Sequence, residues 1–141
     1  MASTFYSVEV TRGDVPRAVT PGVYSVYGHY TLAGTSLVIN DVIQMCAVPL
    51  GARVIDVTLD MPDLDTGTSA GFVVGDGGTT NRYITATTLG QSAGIAKANA
   101  PGFERTAYTV NDTIDIKCIT APETGVTTSV LSLCVLLAID N

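Results

Sequence analysis

The chain has no tryptophan, one histidine, two lysines and three glutamates among its 141 residues. Each shortage closes off a class of function. The seven basic residues, Arg12, Arg17, Arg53, Arg82, Lys97, Arg105 and Lys117, are scattered, and the formal net charge is -6. Binding to a phosphate backbone draws its affinity from clustered cations that release counterions, so nucleic acid is not an expected partner. An anionic membrane surface is excluded on the same ground. Long apolar runs are also missing. The longest, Val130 to Ile139, is interrupted by Ser132, whereas a membrane-spanning helix needs about 20 apolar residues. The opening Met-Ala-Ser-Thr-Phe-Tyr has neither the basic nor the apolar region of a secretory signal, and synthesis in a cytosol is expected. Cysteine is scarce too. Cys46, Cys118 and Cys134 are odd in number, widely spaced and free of any C-x-x-C pair. That pattern fits neither a disulfide framework nor a zinc site, and reads as three small hydrophobes in a reduced core.

What the chain has in quantity is strand-forming residues: 20 Thr, 17 Val and 9 Ile. β-Branched side chains suit a pleated, half-buried surface. Only 14% of residues are charged against 46% hydrophobic, below the usual charged fraction of about 25%. A chain so poor in charge is expected to bury surface against neighbours.

Period-2 alternation recurs along the sequence. Phe5 to Val10 reads as a short strand or extended arm, and Thr11 to Pro21 as a loop. In Val23 to Leu32, Val23, Ser25, Tyr27 and His29 alternate with Tyr24, Val26, Gly28 and Tyr30. Leu37 to Val48 gives two apolar pulses split by a turn or bulge at Asn40-Asp41. In Ala52 to Met61, the set Arg53, Ile55, Val57, Leu59 and Met61 is expected to face the core. Ala70–Val74 and Arg82–Leu89 form a hairpin across the glycine-rich Gly75–Asn81. Gly90 to Gly102 is too interrupted for a full helix. Ala107–Val110, Thr113–Thr120 and Thr128–Ile139 complete the set, the last being apolar enough to be covered on both sides or central in its sheet. The expected fold is all-β, a jelly-roll β-sandwich of about eight strands with no substantial helix. Residues 1–21 would form an extended N-terminal arm and loop, and 22–141 a single sandwich domain.

Reactive groups are sparse. His29 could serve as a general base, but no nucleophile or orienting carboxylate is identifiable by spacing, and a hydrogen-bonded strand histidine is the plainer reading. Asp60, Asp63 and Asp65 place three carboxylates on one loop, yet Asp-x-x-Asp-x-Asp is not an EF-hand and the later bidentate Glu is missing. Gly75-Asp-Gly-Gly lacks the Lys-Ser/Thr ending of a phosphate loop and precedes a strand, so it reads as a turn. No catalytic residue, cofactor or metal is assigned, and the chain is not expected to be an enzyme. The aromatic residues are the stronger pointer. Phe5, Tyr6, Tyr24, Tyr27 and Tyr30 crowd the first 30 residues with Val8, and tyrosine favours surfaces buried against a partner. These six are the candidate interface residues.

The run from Asn40 to Asp60 resembles a pattern in small tailed-phage head proteins. In it, Asn40-Asp41-x-Ile43 opens a strand, Pro49-x-Gly51-Ala52 turns, and Val54-x-Asp56-Val57-x-Leu59 closes the hairpin. Asp63-Leu64-Asp65-Thr66-Gly67, Val73-Val74-Gly75-Asp76-Gly77, Arg82-Tyr83-Ile84 and Asn111-Asp112-Thr113-Ile114-Asp115-Ile116 continue the resemblance, over roughly 37 to 139. It is closest in pattern to the cement or decoration proteins of podovirus-type heads, such as that of a Bordetella phage. The resemblance implies a jelly-roll virion subunit on the capsid exterior. Its partners would be the major capsid protein and a second copy of itself, as a homodimer in preference to a trimer. The alternative is a carbohydrate-binding or adhesive β-sandwich that uses Tyr24, Tyr27 and Tyr30 as stacking platforms.

Overall fold

In the computed structural model, which describes residues 2–13 and 21–140, nine strands form two sheets. They are β1 (Thr4–Tyr6), β2 (Gly22–Thr31), β3 (Val42–Val48), β4 (Ala52–Met61), β5 (Gly71–Asp76), β6 (Ile84–Thr87), β7 (Gly94–Lys97), β8 (Asp112–Thr120) and β9 (Val130–Ile139). One sheet runs β2-β9-β4-β7 and the other β1-β3-β8-β5-β6. From β2 onwards the chain crosses repeatedly between the sheets, and all pairings among these eight strands are antiparallel. This is the jelly roll: two interlocked Greek keys. β1 is an addition, pairing parallel with β3 through Thr4–Val42, Phe5–Ile43 and Tyr6–Gln44.

The expected alternation places the core. Val26 of β2 and Val54, Val57, Leu59 and Met61 of β4 face Phe72 and Val74 of β5 and Ile114 and Ile116 of β8. Leu131, Leu133, Val135 and Leu137 of β9 fill the centre. β9 is central, bonded to β2 on one side and β4 on the other, as its apolar run requires.

Several local readings change. β4 carries a register shift between Val54 and Asp56. The bulge resets the alternation, so Val54 is buried while Arg53 and Ile55 turn outward. Cys134 is exposed on the outer face of β9, whereas Cys46 and Cys118 are buried. Burial pushes the Cys118 thiol up to about 11. β7 emerges from the Gly/Ala-rich stretch because β4 supplies its ladder, from Thr58–Lys97 to Met61–Gly94. That partner is remote in sequence, and four weakly patterned residues do not announce it. Ala107–Val110 forms no strand; it crosses the end of the sandwich, with Tyr108 exchanging backbone bonds with Gly51 and Ala52. Leu37–Ile39 is likewise outside any strand.

Within Phe5–Val10 the chain leaves extended geometry at Ser7. A single helical turn, α1 (Val8–Arg12), follows, because Ser7 caps it by accepting from the Val10 amide at 3.1 Å. Of the loop expected over Thr11 to Pro21, Asp14 to Thr20 lie outside the described residues. No helix among the described residues is long and apolar enough to cross a membrane.

Candidate interaction surface

The N-terminal segment is fastened along one edge of the sandwich by polar clamps. Asp41, buried, accepts from the amides of Ser3 at 2.7 Å and Val38 at 2.8 Å. The buried Ser7 hydroxyl donates to the Met45 carbonyl at 2.7 Å, and its amide donates to the Gln44 carbonyl. Glu9 reaches from α1 to β2. One carboxylate oxygen accepts from the His29 amide at 2.9 Å, and the other lies 2.7 Å from His29 Nδ1. Burial would raise the Glu9 pKa, but hydrogen bonds from the His29 backbone, its own backbone and the His29 ring outweigh it and hold it below the ordinary value. His29 is therefore a strand histidine bonded to a carboxylate. Its ring also stacks on Tyr27, with centroids 5.8 Å apart.

The six candidate interface residues divide. Tyr6 and Tyr27 are each 52% exposed, on the outer faces of β1 and β2. Phe5, Tyr24 and Tyr30 turn inward against the core, and Phe5 meets Tyr30 at 5.6 Å between ring centroids. Val8 is half-buried in α1. Tyr24 and Tyr30 thus lie on the opposite side of β2 from Tyr27, and the three rings form no common stacking platform. Around Tyr27 the outer face of its sheet is apolar at Val23 and Val130, and at Cys134, which pairs with Tyr27. Two ion pairs lie on it, Arg53–Asp140 at 2.8 Å and Lys97–Asp56 at 3.0 Å, and Asp60 is exposed beside them.

The carboxylate loop is structural. Asp65 is fully buried and accepts from the amides of Gly67 (2.9 Å), Ser69 (3.0 Å), Ala70 (3.0 Å) and Thr124 (2.9 Å), and from the Ser69 hydroxyl (3.3 Å). Burial alone would raise its pKa, but the backbone donors of Thr124, Glu123, Gly67 and Ser69 hold it far below the ordinary range. Lone pairs aimed at N–H groups are not free for a cation. Asp63 accepts from the Asp65 amide at 3.1 Å, and Asp60 is exposed on β4. No group of three or more metal-ligating side chains converges among the described residues.

A second polar network closes the far end of the sandwich. Asp76 accepts from the amides of Gly78 (2.9 Å) and Thr79 (2.8 Å), from Arg82 Nε (2.6 Å) and from the Tyr108 hydroxyl (2.8 Å), which also bonds to the Tyr83 hydroxyl. The glycine-rich turn is thereby tied down over Gly75, where a Cβ would lie 2.1 Å from the Thr79 carbonyl oxygen. Beside it, Asp115 is only 8% exposed and paired in register with Gly75. Burial, reinforced by the charges of Asp112 and Asp76 and opposed by the Thr113 hydroxyl, pushes its pKa up to about 7. A carboxyl whose folded pKa exceeds its unfolded value, near 3.9, stabilises fully below about pH 4 and loses that contribution as pH rises through about 7. Asp115→Asn should therefore abolish a stability slope of about 1 kcal/mol per pH unit between pH 5 and 7, measured by urea unfolding across that range. An unchanged slope would show that Asp115 titrates normally.

With this geometry in place, the fold has recognisable company. It is shared with chains of three phage capsids. A chain in the capsid of Ralstonia phage GP4 superposes with a TM-score of 0.86 at 22% identity over 98% of this chain and 99% of that one. A chain of the cyanophage Pam1 capsid asymmetric unit gives 0.73 at 26% identity over 89% and 90%. A chain of the acid-stable capsid of Helicobacter pylori bacteriophage KHP30 gives 0.61 at 17% identity over 84% and 89%. No protein-family model matches the sequence, and no curated protein matches it either.

Sequence reasoning missed the clamps. Asp41, Asp65 and Asp76 read as turn carboxylates, and Glu9 drew no attention. One signal was available for Asp65 and Asp76: each is followed at the second position by glycine, the pattern of an Asx-turn. Nothing in the sequence pairs Glu9 with His29 or Tyr83 with Tyr108.

Proposed function

We propose that this chain is a structural, non-enzymatic virion protein that binds the outside of a phage capsid and cements neighbouring major capsid proteins. The observation that carries the reading is the likeness, over nearly the whole of both chains, to a chain of the Ralstonia phage GP4 capsid. The sequence resemblance to podovirus cement proteins, including that of a Bordetella phage, points the same way. The physics of the surface agrees. Two sheets hold a rigid slab, and the outer face around Tyr27 carries apolar side chains at Val23, Val130 and Cys134. Many weak copies acting together strengthen a shell by multivalency. On this reading residues 1–21 act as an arm on the 22–141 sandwich, and Tyr6 and Tyr27 are the side chains free to meet the shell. Phe5, Val8, Tyr24 and Tyr30 set their position from beneath. The protein is made in the host cytoplasm and carried on the capsid exterior, with the major capsid protein and a second copy as partners.

The test uses undecorated shells. Added protein should raise their disruption temperature, since a ligand of the assembled state stabilises it by mass action. Tyr6→Ala with Tyr27→Ala should weaken binding by tenfold or more, a cost of about 1.4 kcal/mol. Equal stability with and without saturating protein would sink the reading.

A further inference from the structure

β2 is the long edge strand of its sheet, and among the described residues no strand pairs with its other side. β9 takes one side of β2 in an unbroken ladder from Gly22–Ile139 to Thr31–Val130. The ladder's phase fixes which groups point the other way. Leu32 and Gly34 continue it by donating to Ser129 and Thr127, so the even-numbered residues bond to β9. His29 instead donates sideways to Glu9. By the same alternation, the N–H and C=O groups of Val23, Ser25 and Tyr27 point away from β9. None of these has a partner among the described residues. Among the described residues, Glu9 of α1 covers the edge at His29.

Natural sheets shield such an edge with charge, proline, a bulge or brevity. β1, β6 and β7, at the other sheet edges, are three or four residues long. Gly22 to Tyr27 has none of these devices. It holds no Lys, Arg, Asp, Glu or Pro, and β2 shows no register shift where β3, β4 and β5 each do. Its outward side chains, Val23 and Tyr27, are among the most exposed apolar groups.

We infer that this edge pairs with the same edge of a second copy, β2 against β2 about a two-fold axis at Ser25. The segment is self-complementary. An antiparallel pairing centred on Ser25 matches all three bare residues, giving about six interchain hydrogen bonds. It sets Val23 of each copy opposite Tyr27 of the other, an aromatic against a β-branched side chain on the outer face. No charge opposes a like charge. The two β2-β9-β4-β7 sheets become one sheet of twice the width, and the exposed edge disappears. This gives the proposed two-copy unit its contact surface and depends on that part of the functional reading, not on the shell.

Amide hydrogen exchange and sedimentation velocity on the full chain test it. The wild type should sediment as a dimer, with the Val23, Ser25 and Tyr27 amides protected. Ser25→Pro removes the central donor at a position where an edge strand accepts proline. It should raise the dimer dissociation constant tenfold or more and expose the Val23 and Tyr27 amides, with the β9 amides still protected. Val23→Lys, which replaces the apolar partner of Tyr27 with a charge, should do the same and serves if the proline variant fails to fold. A dimer that persists in Val23→Lys, or that leaves the three wild-type amides unprotected, uses another surface and overturns the inference while leaving a two-copy unit standing. A wild-type monomer overturns both. Protection that arises only on shells means that the shell supplies the strand, and the second copy is then wrong although shell binding is right.

Discussion

Asp65→Ala should cost the chain its cooperative fold at physiological temperature, or lower its thermal midpoint by more than about 10 °C. The reason is the number of donors one carboxylate serves. Four amides and a hydroxyl point at it: Gly67, Ser69 and Ala70 from its own loop, and Thr124 from the loop before β9. With the acceptor removed, the buried Ala70 N–H and the amides of Gly67, Ser69 and Thr124 lose their partner together, and an unsatisfied buried donor is costlier than the bond it replaces was worth. The Asp65–Gly125 bridge would part with it. Asp63→Ala is the control, because Asp63 accepts a single bond, from the Asp65 amide. It should be far milder. Acid dependence gives a second readout. The folded pKa of Asp65 lies below its unfolded value, so its stabilisation is complete above about pH 4 and fades as pH falls. Asp65→Asn should remove that part of the acid response. Thermal melts of the three variants between pH 3 and 7 decide the matter, and equal midpoints for Asp63→Ala and Asp65→Ala would refute the clamp.

Gly28→Val should prevent folding, and Gly28→Ala should cost about 3 kcal/mol or more. Gly28 is where β2 of one sheet presses on β3 of the other. A Cβ there would lie 1.9 Å from the Met45 carbonyl oxygen and 2.7 Å from its carbon. That oxygen cannot move aside, since it also accepts the Ser7 hydroxyl that fixes the N-terminal segment. Either the sheets separate at this corner or β2 leaves its ladder. Gly22→Ala, on the same strand, is the control: its Cβ would meet only the Tyr24 ring, at 3.6 Å. Urea unfolding of both variants should show a lowered midpoint for Gly28→Ala alone. A Gly28→Ala midpoint within error of wild type would mean that the corner can relax.

The reading of the sequence reached the fold where alternation is strong and local. In β2 the two alternating sets fall on opposite faces as expected, because the period of a pleated ladder is fixed at two, and the structure turns Tyr24, Val26, Gly28 and Tyr30 inward. β9 was legible as central because it is apolar on both faces. β4 failed halfway, at its bulge, because an extra residue in a ladder leaves no local mark in composition. β7 and β1 owe their existence to partners far away in sequence. The candidate surface was legible in part. The crowded aromatics divide between the two faces, Tyr6 and Tyr27 outward and Phe5, Tyr24 and Tyr30 inward, and the alternation of β2 already separated Tyr27 from Tyr24 and Tyr30. The clamps at Asp41, Asp65 and Asp76 are long-range acceptors of backbone amides, and no spacing rule finds them.

The pairing of β2 with β9 joins nearly the first strand made to the last. The sheet holding Tyr27 therefore has only the short β4–β7 ladder until β9 is made, and β2 has no partner strand in it before then. Closing so large a loop is entropically slow. Synthesis and closure are thus separate events, and a newly made copy passes through an interval in which β2 has no neighbour in its sheet and β4 only the four residues of β7.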